Sequence, residues 1–109
     1  MAARYVVRRS GAQYHFTLKA GNNEVILSSE RYVTKQNALD GITSVKSNSP
    51  YDSRYERKTT TNGQYMFNLK AGNGQVICTS ETYSTAQARD RGIESVQANG
   101  PGASIDDQT

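Results

Sequence analysis

Along residues 13–20, apolar and polar side chains alternate without a break. Tyr14, Phe16, Leu18 and Ala20 fall on one side of an extended chain, and Gln13, His15, Thr17 and Lys19 on the other. The same alternation returns at residues 64–71, where Tyr65, Phe67, Leu69 and Ala71 oppose Gln64, Met66, Asn68 and Lys70. A period of two marks a strand with one buried face. Each strand runs into tight-turn chemistry, AGNNE in the first case and AGNGQ in the second. Asn-Asn and Asn-Gly both tolerate the positive φ that a two-residue hairpin needs. Short apolar runs at Glu24–Ser29 and Gln75–Ser80 then predict third strands. Upstream, Arg4–Arg9 and Tyr55–Thr60 predict first strands, joined to the second ones through Ser10-Gly11 and Asn62-Gly63.

A helical period follows. Thr34 and Thr85 are N-cap residues by type, with a hydroxyl able to accept a bond from a first-turn amide. Ala38, Ile42 and Val45 fall on one helical stripe; its second version is Ile93 and Val96, completed by Ala86 or the stem of Arg89. Gly41 and Gly92 sit mid-helix, where glycine costs about 1 kcal/mol against alanine. Their recurrence predicts close approach of helix and sheet. Asn48-Ser49-Pro50 and Asn99-Gly100-Pro101 end the helices. Ala103–Asp106, which aligns with Asp52–Tyr55, predicts a short last strand.

These parallels are one duplication. Residues Gln13–Pro50 return 51 positions later as Gln64–Pro101, with more than half of the aligned positions identical. A unit of this size buries too little apolar surface to be stable alone. The expected architecture is therefore a single α+β domain over residues 1–109, with repeats at about 4–53 and 54–107. Two tandem βββα(β) repeats share one mainly antiparallel sheet, with both helices packed on one face.

The strings FTLKAGNNEVILSSERY and FNLKAGNGQVICTSETY, each followed by a helix carrying GI-x-SV and ending in N-x-P, resemble the YegP-like family. These are small bacterial proteins classed as a domain of unknown function, and the chain is similar to their tandem form; single-unit members pair as dimers. The resemblance implies that the two units share their sheet by exchanging C-terminal strands. It carries no established activity and transfers no catalytic residue.

Composition narrows the function classes. Thirteen Lys and Arg stand against ten Asp and Glu, for a net charge of +3, which permits attraction to nucleic acid without requiring it. A single cysteine, Cys78, excludes an intramolecular disulfide, and its counterpart Leu27 marks the position as core. No charged-then-apolar leader and no membrane-length apolar run is visible, so a cytoplasmic location without membrane contact is expected. Neither a metal-ligand cluster nor a cofactor motif is present, so no metal, cofactor or catalytic residue is assigned. Gly72-Asn73-Gly74 beside Lys70 is a hairpin turn, since a phosphate-cradling loop joins a strand to a helix.

Polar residues kept in both copies are the candidate binding set. Glu30 and Glu81 close the third strands, either bonding backbone there or pairing with Lys19 and Lys70. Those lysines, with Arg8, Arg9, Arg57 and Lys58 of the first strands, give the solvent-side face a basic reading. Tyr32 and Tyr83 are paired aromatics of core or groove-lining type, whereas Tyr51, in the connector, is expected to be exposed. The reading favoured is a non-enzymatic binding or interaction module whose partner is a protein or a nucleic acid. It is expected to be a monomer with internal pseudo-two-fold symmetry. Weak nucleic-acid binding through the basic face is the alternative; the strand aromatics lie on the opposite rows and offer no bases a stacking surface. An enzyme ranks third, for want of a nucleophile–base pair.

Overall fold

Each alternating segment becomes a strand with one face under a helix. In the computed structural model, which describes residues 2–109, the first unit forms β1 (Arg4–Ser10), β2 (Gln13–Lys19), β3 (Val25–Ser29) and α1 (Lys35–Asn48). The second forms β4 (Tyr55–Thr59), β5 (Tyr65–Lys70), β6 (Val76–Ser80), α2 (Ala86–Asn99) and β7 (Ser104–Asp107). Glu24 and Gln75 stay outside the third strands because their amides bond to the Asn22 and Asn73 side chains of the turns. Ala103 likewise remains with the helix exit, its amide bonded to Asn99 O, so the last strand starts one residue later.

The strands join in a seven-stranded sheet of order β4-β5-β6-β3-β2-β1-β7. Its seam is the antiparallel β3–β6 pair, where Ser28 lies opposite Thr79. These two are counterparts in the repeat, so the pseudo-two-fold passes between them. Leu27 then faces Ser80, and Ser29 faces Cys78. The exchange of trailing segments is visible at the edges. β7 of the second unit lies parallel to β1 of the first, while the first unit's trailing residues pass through a 3-10 turn at Asp52–Arg54 into β4 on the far edge.

Both helices cover the same face, α1 over β2 with reach to β5 and β6, α2 over β5 and β3. Tyr5, Phe16, Leu18, Leu27, Phe67, Leu69 and Cys78 are fully buried there against Ile42, Val45, Ile93 and Val96. Burying a large apolar side chain contributes about 1.5–3 kcal/mol, and here the buried residues of both units form one cluster. In α2 the stripe is completed by Arg89, whose guanidinium lies 5.5 Å over the Tyr65 ring, rather than by Ala86. Thr34 and Thr85 cap their helices by accepting from the amides of Asn37 and Ala88, at 3.0 Å each.

The mid-helix glycines mark the closest approach. A Cβ on Gly41 would stand 2.5 Å from Tyr32 Oη and 3.0 Å from Phe16 Cε2; one on Gly92 would meet the Tyr83 hydroxyl and stand 2.9 Å from its Cζ. At the other helix end, Tyr5 Oη donates to Gly100 O at 2.6 Å, and Tyr55 Oη donates to Ser49 O at 2.8 Å. Each first-strand tyrosine thus holds the C-terminus of the other unit's helix.

Candidate binding groove between the repeats

A groove of about 570 Å³ opens on the helix-covered face between the two units. One wall is the β2–β3 hairpin of the first unit, with Ala20, Glu24 and Ile26; the other is Glu81–Tyr83 together with the exposed side of α2. Between the walls Gly92 leaves room for Tyr83, whose ring stacks on Phe67 at 6.5 Å and 10°. The Tyr83 hydroxyl is pushed above the usual phenol range, first by burial and then by the nearby carboxylates of Glu81 and Glu24. On the α2 side the groove presents Arg91 and Ser95. Among the described residues, Glu24, Glu81 and Arg91 form no side-chain ion pair or hydrogen bond. Two free carboxylates and a free guanidinium therefore surround one half-buried tyrosine.

The residues singled out from sequence divide between two faces. Glu81 and Tyr83 line the groove, while Glu30 and Tyr32 hold the corresponding positions of the first unit, where Tyr32 stacks on Phe16 at 6.2 Å and 9°. Lys19, Lys70, Arg8 and Lys58 lie on the opposite, open face of the sheet. Glu30 and Glu81 do not pair with Lys19 and Lys70, because the lysines alternate onto the other face. Lys70 instead bonds to Glu56 at 3.0 Å, and that bond, with one from Asn68, holds the Glu56 carboxyl below the usual range. The basic reading of the open face is corrected in part. Arg9 and Arg57 lie opposite Tyr14 and Phe67 in register, so they belong to the helix side, and Arg57 pairs there with Asp52 and Asp90. Glu56 further neutralises the second unit's half, its counterpart on the first unit being the apolar Val6. Tyr51 is exposed, as its connector position predicts.

Glu24 and Arg91 escaped the sequence reading for one reason. Their counterparts are Gln75 and Asp40, so a search restricted to polar residues shared by both copies passes over them. The Cys78 thiol is buried, and burial drives it far above the usual thiol range, which keeps it protonated. Among the described residues no cluster of His, Cys, Asp and Glu is placed to hold a metal ion, and no helix is long and apolar enough to cross a membrane.

Known proteins share the duplicated fold. The model of a domain of unknown function, DUF1508, matches residues 10–56 and again 61–107. UPF0339 protein YegP of Escherichia coli K12 is 53% identical over 102 residues, covering 94% of this chain and 93% of its own. A UPF0339 protein of Bordetella pertussis is 54% identical over 109 residues, covering 100% of this chain and 98% of its own. The solution structure of yegP from E. coli superposes with a TM-score of 0.93 at 51% identity, covering 100% of this chain and 95% of that one. That of a UPF0339 protein from Shewanella oneidensis gives 0.91 at 48%, covering 98% and 92%.

Proposed function

The chain belongs to the DUF1508 family of domains of unknown function, and within that family we propose that it is a non-enzymatic interaction module whose inter-repeat groove takes a short basic-apolar segment of a partner protein. The observation that carries this reading is the convergence of unpaired Glu24, Glu81 and Arg91 on Tyr83 in a groove built by both units. The volume suits a few side chains. An apolar side chain would lie on Ala20, Ile26 and Gly92, an ammonium or guanidinium would meet the two carboxylates, and a carbonyl or carboxylate would meet Arg91. The helix, hairpin and tyrosine are held by packing, so the site is formed before its ligand arrives. Among the described residues no hydroxyl of the groove is hydrogen-bonded to a carboxylate, and the one thiol is buried and protonated, which supports a non-enzymatic role. The same reading has the protein acting as a monomer in the cytoplasm, where a free thiol stays reduced.

Calorimetric titration with an acetylated, amidated Lys-Val-Lys tripeptide tests this. Saturable binding is expected, weakened about tenfold or more by Glu24→Gln with Glu81→Gln, as befits loss of charge-assisted bonds. It should be unchanged by Lys19→Ala with Lys70→Ala. Equal binding of an acidic Glu-Val-Glu peptide, or of the double Gln variant, would contradict the reading.

A further inference from the structure

The open face of the sheet holds a second cluster that follows a different logic, since it breaks the two-fold rather than straddling it. Arg8 of β1 lies opposite His15 of β2 in register. The Tyr14–Tyr32 bridge continues the β2–β3 pairing, which sets Arg31 on the other flank of His15. Arg31 reaches across that row, and its guanidinium donates to Ser10 Oγ at the end of β1. Three nitrogen-bearing side chains and a hydroxyl thus gather at one end of the sheet, and no carboxylate pairs with Arg8 or Arg31 among the described residues. The His15 Nδ1 atom is buried and lacks a hydrogen-bond partner there.

The second unit has none of this. The positions in register are Lys58 and Met66, with Thr82 replacing Arg31, and Lys58 stands 4.0 Å from Glu56. In that unit the charge is balanced and the imidazole is gone. Uncompensated like charge across neighbouring strands destabilises a sheet, so a row of Arg, His and Arg without an acid is an unfavourable arrangement that an anion would relieve. We infer that Arg8, His15 and Arg31, with the Ser10 hydroxyl, form a binding site for a phosphate group or a like tetrahedral oxyanion, in the first unit only. Two guanidinium groups offer forked donors to its oxygens, and His15 adds a donor between them.

The source of such a group is either a free phosphate or phosphomonoester or the backbone of a single-stranded nucleic acid, and the site is inferred for the former. His15 is the one histidine of the chain, so its ring-proton resonance reports the site without assignment ambiguity. Without ligand its pKa lies below the ordinary value, through burial first and then the charges of Arg31 and Arg8. The experiment follows that resonance against pH in chloride, and in sulfate or inorganic phosphate at equal ionic strength. The expected result is a saturable rise of the midpoint by about half a pH unit or more with sulfate and phosphate over chloride. The rise should vanish in Arg8→Ala and in Arg31→Gln, both exposed positions whose variants should keep the sheet, and should persist in Lys58→Ala. An equal rise in chloride would reduce the effect to screening and overturn the site, as would an undiminished rise in both arginine variants. A rise with a single-stranded oligothymidylate lacking terminal phosphates, and none with sulfate or phosphate, would overturn it in favour of a polyanion track.

Discussion

Ser49 and Gly100, counterparts at the ends of the two helices, pack directly against each other: a Cβ on Gly100 would stand 2.8 Å from Ser49 Oγ and 3.1 Å from Ser49 Cβ, as well as 2.7 Å from Val96 O of its own helix. Ser49 is fully buried, and its Oγ has no hydrogen-bond partner among the described residues. Gly100 has ordinary helical φ and ψ of −57° and −47°, so its glycine answers to space and not to backbone conformation. A side chain at Gly100 would press on Ser49 of the other unit as well as on its own helix, and the symmetry is broken at this point.

Gly100→Ala should therefore destabilise the protein by about 1–3 kcal/mol, the usual cost of overpacking a tight contact. Ser49→Gly in the same chain should recover part of that loss. Urea unfolding of the four variants of this double-mutant cycle should give clear non-additivity, whereas additive losses would mean the two helix ends do not press on each other.

A second steric pair gives a matching expectation. Gly41→Ala gains about 1 kcal/mol of helix propensity and should nonetheless lose stability overall, because the new methyl meets Tyr32. Tyr32→Phe removes the nearest atom and should restore much of the loss. Thermal unfolding of Gly92→Ala and Tyr83→Phe should show the same pairing in the second unit.

The pH dependence of stability carries a signature of His15. Its pKa is lower folded than unfolded, so its contribution is fully present above about pH 6.5 and is lost as pH falls through the folded value. Arg8 on β1 and Arg31 beyond β3 are the charged groups facing it. His15→Met, which installs the residue of the second unit, should flatten the loss of stability below pH 6.5 and leave the curve above pH 7 unchanged in shape. Parallel curves for both proteins throughout would contradict this.

Tyr5 and Tyr55 should resist ionisation. Burial raises both phenols far above the usual range, and each donates to a helix-terminal carbonyl. Stability that depends on them is present below about pH 10 and lost as pH rises further. Absorbance titration should show these two of the seven tyrosines ionising last, together with unfolding. Tyr5→Phe and Tyr55→Phe should each cost about 1 kcal/mol.

The repeat made most of the fold legible. Period-two rows fixed which residues of β2 and β5 face the helices, and the Thr34 and Thr85 caps fixed where the helices start. Gly41 and Gly92 announced close approach, although the tyrosines they approach could not be named, because strand-to-helix distance is a tertiary quantity. Strand ends shifted by a residue wherever an Asn side chain or helix exit claimed an amide, as at Glu24, Gln75 and Ala103.

The candidate sites were less legible for the same reason. Shared residues report what both units need, which is core, turn and cap. The chemistry lies in what they do not share: Glu24 against Gln75, Arg91 against Asp40, His15 against Met66 and Arg31 against Thr82. Of the shared pairs singled out from sequence as binding candidates, only Glu81 and Tyr83 reach the groove, whereas Lys70 is spent on Glu56. Which unshared residues converge follows from β3 pairing with β6 across the seam, a choice of neighbour that alternation alone does not encode.

If one groove built jointly by both units is the binding site, a ligand must perturb both of its walls at once. Backbone amide shifts measured during titration with the Lys-Val-Lys peptide read this out residue by residue. Saturable changes should be confined to Ala20–Ile26 of the first unit and Glu81–Ser95 of the second, moving together with one affinity. Changes confined to a single unit, or centred on the open-face row of Thr17, Ser28 and Thr79, would contradict a shared groove.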